Sequence, residues 1–306
     1  MREGGWPQIS LAEHSALGKF PRSVSLLAWG YNEEALVEGF IDRARALLDA
    51  TVVDWEIVFV DDCSTDRMPG ILARYAGREP RLRIVRHERN LNVGMACRTA
   101  IANASTEFLL WQTVDWSYDI GKLRVFLELT NHFDVVQGIR PVPIRLLSYI
   151  PVLRSLYRVR RRSDNMYKAL ISLGNYYTLR ILYGVHFQDF QNVTIYPTRL
   201  AQGLHLVGHT SFVNPELLLK SYYSGARFIE VPIRFIARSK GLAKGTKPSA
   251  VIRSIMDTAR NWIAWGAKHR WQMLGRHGQA IRRVSEPFRL DQPVLRLVLP
   301  LFDDFK

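Results

Sequence analysis

Three short polar clusters hold most of the chemistry this chain could perform. The first is Tyr31-Asn32-Glu33-Glu34. The second is Asp61-Asp62-Cys63-Ser64-Thr65-Asp66. The third is a single acid, Asp115. Carboxylates gathered in one place accept hydrogen bonds from a ribose or a base and ligate hard divalent cations. Each also has a plainer use: Asn32 and Asp66 are good helix caps, and Asp62 can close a turn. The chemical use requires all three clusters to reach the same place.

The segments between them supply a means. SVSLLAWG (23–30) reads as a buried strand, and EIVFVD (56–61), LRIVR (82–86), EFLLWQ (107–112) and DVVQG (134–138) as further strands. Between them, Ala35 to Leu48 carries a helix face of Leu36, Phe40, Ala44, Leu47 and Leu48, and Met68–Ala76 and Gly94–Ala104 suit further helices. Strands alternating with helices predict an α/β fold with a doubly wound, mainly parallel sheet. Ligands in such sheets sit beyond the carboxyl ends of the strands, which is where the three clusters fall. Further on, Ser163 begins and Gly184 ends a helix carrying Met166, Leu170, Leu173, Tyr177 and Ile181. RFIEVPIRF (227–235) alternates as a strand, and 250–285 reads as one or two helices containing Trp262, Trp265 and Trp271.

The chain has 306 residues, with 47% apolar and 23% charged, so a sizeable core is expected and disorder is not. No apolar run reaches the roughly 18–20 residues of a membrane span, and the first residues lack a signal-peptide apolar stretch. Cys63 and Cys97 make no disulfide framework, so a reducing cytoplasm is the expected setting. The net charge of +14 is concentrated: residues 139–162 hold seven arginines and no acid, and 250–285 hold seven Lys/Arg and one acid, Asp257. Such localisation suggests an anionic surface or partner. In 143–158, Ile144, Leu147, Ile150, Leu153 and Leu156 recur against Arg145, Arg154 and Arg158, a pattern suited to peripheral contact with an anionic membrane. Its plainer reading is packing on the domain. Nothing resembles a zinc finger or an RNA-recognition signature, and nucleic acid is not an expected partner.

The ordered segments SLLAWGYNEEALV, IVFVDDCSTD and RNLNVGMACRTAI resemble the nucleotide-sugar half of the family 2 glycosyltransferases, inverting enzymes of GT-A fold. VVQGIRPVPIR, the run from Arg160 to Phe190, and FIEVPIRFIARSKGLAKG resemble the dolichol-phosphate mannosyltransferase and polyprenyl-phosphate glycosyltransferase branch. The resemblance implies a GT-A domain over 23–245, preceded by a lead-in (1–22) and followed by a basic, Trp-containing helical extension (246–306). It also implies a nucleotide-diphospho-sugar donor and, as acceptor, a polyprenyl phosphate, glycolipid or saccharide.

Residue by residue, the resemblance assigns Ala28, Tyr31, Asn32 and Glu33 to the loop framing the donor nucleotide. It assigns Asp61 and Asp62 to the base and ribose, and Asn92 and Gly94 to the loop before the phosphate-facing helix. Arg238, Gly241 and Lys244 match an Arg-x-x-Gly-x-x-Lys pattern near the acceptor, and Asp189 matches an acid that closes the pocket. A divalent cation, Mg2+ or Mn2+, is implied with Asp115 as its ligand. The family's Asp-x-Asp reads here Thr113-Val114-Asp115, so only the second carboxylate remains, with Asp119 nearby. Cys63 stands where the family usually has Gly, Asn192-Val193-Thr194 replaces a Gly-Phe-Arg-like stretch, and Ala243 replaces a common Ser. For a lipid-phosphate acceptor, Arg140, Arg238 and Lys244 would position an oxygen that is already anionic; a hydroxyl acceptor would need a base, and Asp189 is the candidate. A catalytically weakened, nucleotide-binding relative is the alternative that Thr113 favours.

Overall fold

The structure, a computed structural model, describes residues 18–139, 166–234, 236 and 248–275. The strands are β1 (Val24–Gly30), β2 (Trp55–Asp61), β3 (Leu82–Arg86), β4 (Phe108–Trp111), β5 (Val135–Ile139), β6 (Thr194–Pro197) and β7 (Phe228–Pro232). They form one seven-stranded sheet in the order β3-β2-β1-β4-β6-β5-β7. All neighbouring pairs are parallel except the two made by β6, which runs antiparallel between β4 and β5. The α/β, mainly parallel architecture expected from the sequence is therefore present.

The strands are apolar on both faces because both faces are covered. One core packs Leu26, Ala28, Ile57 and Phe59 against α1 (Glu34–Thr51), α2 (Met68–Ala76) and the 114–129 segment, which includes α4 (Leu123–Glu128). The other packs Leu27, Val58 and Val60 against α3 (Asn92–Asn103), α5 (Met166–Tyr183), α6 (Thr198–Gly203) and α7 (Val213–Tyr223). Trp265 and Met273 join this second core. They belong to the C-terminal helical run of α8 (Pro248–Asn261), a π-helical stretch (Trp262–Gly266) and α9 (Ala267–Gln272).

Two helix faces differ from the sequence expectation. In α1 the fully buried residues are Val37, Phe40, Ile41, Ala44 and Leu48, while Leu36 and Leu47 are only half-buried at the edge. In α5 the core side is Tyr176, Leu179 and Tyr183, leaving Tyr177 and Ile181 exposed. Gly184 does end α5, at φ +66, with its N–H donating to the Arg180 carbonyl. Strand β6 and helix α7 have no counterpart in the sequence reading. β6 is four residues long and ends in Pro197, too short to show a period. α7 is buried nearly all round, so its sequence has no polar stripe to reveal a helix. The basic run 139–162 lies outside the described residues apart from Ile139, as do Arg238, Gly241, Ala243 and Lys244.

Candidate nucleotide-binding edge

The parallel register sets the edge. Gly30 at the end of β1 pairs with Asp61 at the end of β2, and Leu27 pairs with Trp111, the last residue of β4. The Gln112 N–H then donates to the Leu27 carbonyl at 3.0 Å, carrying the ladder one residue further. The clusters at 31–34, 61–66 and 113–115 therefore all leave the carboxyl edge of adjacent strands. Because β6 is antiparallel, its first residue, Thr194, lies at this same edge, and the segment bearing Asp189 arrives there too. The Tyr118 hydroxyl donates to the Gln191 carbonyl at 3.0 Å, tying the Asp115 turn to that segment. Ile236 N–H donates to the Ser117 carbonyl at 2.8 Å, so the chain leaving β7 also passes the Asp115 turn.

The carboxylates of the first two clusters are heavily used by backbone amides. Asp62 is buried. Its Oδ1 accepts from Leu91 N–H at 2.8 Å, its Oδ2 accepts from Asn92 N–H at 2.9 Å, and His87 Nδ1 lies 2.7 Å from Oδ1. It thereby anchors the start of α3, where orphan N–H groups would otherwise stand unmatched. Asp66 accepts from Glu34 N–H and Met68 N–H, both at 3.0 Å, and so caps α1 and α2 together. Asn32, at φ +53, accepts from Thr65 N–H at 2.8 Å, and its own N–H donates to Ser64 Oγ at 3.0 Å. Glu33 is the residue before α1 and its carbonyl accepts from Leu36 and Val37. Asp66 thus holds helix starts as its residue type suggests, and Asp62 anchors the start of α3. Asn32 binds the 64–66 loop rather than a helix N–H. All three lie at the sheet edge where the chemical reading needs them.

Asp61 is different. Its Oδ1 accepts from Ser64 N–H at 2.9 Å, but the buried Oδ2 makes no hydrogen bond. Arg86 Nε stands 3.3 Å from it as an ion pair. A buried acceptor without a donor is costly, and a ligand hydroxyl or N–H would satisfy it. Ala28 packs in the core two residues before Gly30, so it supports the loop from beneath. Tyr31 is exposed at the loop itself. Cys63 adopts φ +64, which explains structurally why glycine suits this position.

Gly94, in the first turn of α3, is pressed against another loop. A Cβ there would lie 2.3 Å from the His209 carbonyl carbon. That loop is itself pinned by Asp257 of α8, whose Oδ2 accepts from His209 N–H at 2.9 Å and from Thr210 N–H at 3.0 Å. His87, His209 and Asp257 were not among the sequence candidates. Only their position next to a strand or helix end could have flagged them.

Asp115 and Thr113 both shape one turn. Asp115 Oδ1 accepts from the Ser117 hydroxyl at 2.7 Å, and Thr113 Oγ1 accepts from Ser117 N–H at 3.0 Å. Trp116 sits between them at φ +54, with Arg43 4.5 Å from its ring centroid. Among the described residues no group of three or more His, Cys, Asp or Glu could hold a metal ion. Mg2+ needs only one or two protein carboxylates when substrate phosphates and water complete its shell. A lone Asp115 fits a cation shared with a diphosphate and does not fit an all-protein cage.

Asp189 is buried, and its Oδ1 accepts from Phe190 N–H at 2.9 Å and more weakly from Gln191 N–H. Its carbonyl accepts from Gln137 of β5. Glu230 on β7, opposite Gln137 in the register, accepts from Gln188 N–H at 2.7 Å. Lost hydration pushes the Glu230 carboxyl up to about 7, and the charge of Asp189 adds to the shift.

Residues 30–181 match the family model described as glycosyl transferase family 2. That stretch, just under half of the chain, is similar to the family 2 glycosyltransferase domain, and the fold is of GT-A type. A Bacillus subtilis (strain 168) protein named as a glycosyltransferase of teichuronic acid biosynthesis, TuaG, is 30% identical over 105 residues, which is 34% of this chain and 40% of that protein. The Trichomonas vaginalis dolichyl-phosphate beta-glucosyltransferase ALG5C is 27% identical over 90 residues, 28% of this chain and 27% of that protein. The matched stretches thus span less than half of these relatives. A crystal structure of Mycobacterium tuberculosis glucosyl-3-phosphoglycerate synthase with Mn2+, UDP and phosphoglyceric acid superposes with a TM-score of 0.57 at 16% identity, covering 85% of this chain and 84% of that one. No described helix is long and apolar enough to cross a membrane.

Proposed function

We propose that this chain is an inverting glycosyltransferase that moves a sugar from a UDP- or GDP-sugar to a polyprenyl phosphate or related lipid acceptor at the cytoplasmic face of a membrane. The observation that carries the proposal is the meeting of Tyr31–Glu33, Asp61/Asp62 and Asp115 at one sheet edge, within the stretch that matches family 2. The lipid acceptor is supported by the branch-like segments of the second half and by the ALG5C relative.

In this reading Asp61 takes a donor group of the base or ribose at its unsatisfied Oδ2, while Asp62 fixes the loop that frames it. The sugar diphosphate lies toward Asn92–Gly94, where the N-terminal end of α3 favours negative charge. Asp115 would hold the divalent cation, which when bound would supply positive charge against the leaving diphosphate. A lipid-phosphate oxygen attacks the anomeric carbon from the opposite face and needs positioning by cations such as Arg140, Arg238 and Lys244 rather than a base. If the acceptor is a hydroxyl, Asp189 takes its proton.

The test is a panel of UDP- and GDP-sugars with Mg2+ or Mn2+, offered polyprenyl phosphate, a glycolipid or a saccharide, with released nucleotide and sugar transfer measured. Asp115→Asn should lower turnover by about 100-fold or more. Thr113→Asp should tighten metal dependence. Nucleotide binding without turnover on any donor would overturn the enzyme in favour of the weakened relative.

A further inference from the structure

Helix α8 is amphipathic in the wrong direction for a helix that only packs on a domain. Its inward face is polar. Asp257, Thr258 and Asn261 are buried, Asp257 pins the 209–210 loop, and Asn261 Oδ1 accepts from Trp265 Nε1 at 2.8 Å. Its outward face is apolar. Ile252, Ile255, Met256 and Ala259 recur at i, i+3, i+4 and i+7, one stripe along the helix, and Ile263 follows it in the π-helical stretch. All five are exposed, Ile255 at 63% and Ile263 at 80%. With Ile263 the stripe runs about 17 Å. A surface helix of a globular domain normally turns such a stripe to the core, so this one is built for another surface.

The charges name that surface. From 248 to 275 the basic residues are Arg253, Arg260, Lys268 and Arg270, and the single acid is the buried Asp257. Arg253 and Arg260 fall together on one flank of the stripe and are exposed, as is Lys268 beyond it. An apolar stripe with cations along one flank and no exposed acid beside it is what an anionic lipid surface binds in the plane of its headgroups. The exposed Trp271, at 73%, continues the run with a side chain that favours such interfaces.

The geometry points to α8 as a docking helix for an anionic membrane, lying flat with Ile252, Ile255, Met256 and Ile263 inserted and Arg253 and Arg260 on the headgroups. Its polar face holds the His209–Thr210 loop, which packs on Gly94 at the start of α3. Docking would therefore fix the candidate donor edge relative to the lipid surface. The inference deepens the proposed lipid acceptor by naming the face that meets its membrane.

Co-sedimentation with vesicles tests it, with no donor or acceptor present. Phosphatidylcholine vesicles containing phosphatidylglycerol should bind the full chain, and pure phosphatidylcholine vesicles should bind it far less. Rising salt should weaken binding. Ile255→Glu/Ile263→Glu should cut binding more than tenfold, and Arg253→Ala/Arg260→Ala by roughly tenfold or more, as expected for two cations at an anionic surface. Both variants replace exposed side chains, so thermal unfolding should match the parent. Binding to anionic vesicles that is absent at low salt, or unchanged in the Ile variant, overturns the inference. So does a parent chain that sediments as a dimer, avoids vesicles and becomes monomeric in the Ile variant. Vesicle binding without sugar transfer would count against the proposed activity and not against the docking face.

Discussion

The candidate donor edge and the adjoining wall of Asp189 and Glu230 use carboxylates in contrary ways. At the donor edge Asp62 accepts two backbone N–H groups and faces His87, and Asp66 accepts two more. There the negative charge is what folds the loops. On the wall, Glu230 accepts hydrogen bonds from Gln188 and from the Asp189 backbone, yet loss of water, with the charge of Asp189 nearby, raises its carboxyl to about 7. There the negative charge opposes the fold. A buried acid is favourable when donors fully replace its lost water and unfavourable when desolvation and a like charge outweigh them.

Removing the charge with the isosteric amide should therefore have opposite signs in the two regions. The largest effect is expected at the donor edge. Asp62→Asn turns an amide group toward the Leu91 or Asn92 N–H, and should cost about 2–4 kcal/mol of stability. Urea unfolding and UDP or GDP titration would read this, with nucleotide affinity falling together with stability.

On the wall, Glu230→Gln should stabilise, and only above mildly acidic pH. The folded carboxyl stays protonated up to about 7, against an ordinary glutamate value of 4.5. Between those values the folded chain holds more protons than the unfolded one, so the group's contribution to stability falls as pH rises. The full shift corresponds to about 3 kcal/mol, reached above pH 7. Thermal unfolding of both chains from pH 5 to 8 should show curves that separate with rising pH. Parallel curves would erase the contrast between the regions.

Two backbone sites sharpen it further. Gly94→Ala drives a methyl into the His209 backbone and should cost about 1–3 kcal/mol by urea unfolding, with weaker nucleotide binding. The smallest effect is expected at Cys63→Gly, which relieves a left-handed residue at the price of chain entropy. A gain of at most about 1 kcal/mol should appear by the same measurement.

Much of the donor edge was written in local pattern. Strands at 56–61 and 82–86 and the helix Met68–Ala76 came within a residue of their observed bounds, the first because a buried parallel strand is a continuous apolar run with its cluster following at once in the chain. The wall was not legible in this way. Strand β6 has four residues, α7 has no polar face, and α5 turns Tyr176 inward rather than Tyr177. Those features depend on what the rest of the chain places against them.

The sequence alone determined the α/β layering and that three acidic clusters would lie at strand ends, since both follow from periodicity and chain order. Only the tertiary structure decided that Asp62 and Asp66 spend their charge on helix starts, that Asp61 keeps an oxygen with the Arg86 ion pair but no hydrogen bond, and that α8 faces outward with its apolar side. The physical reason is that a side chain's role is set by which donors and neighbours reach it, and these come from residues tens of positions away.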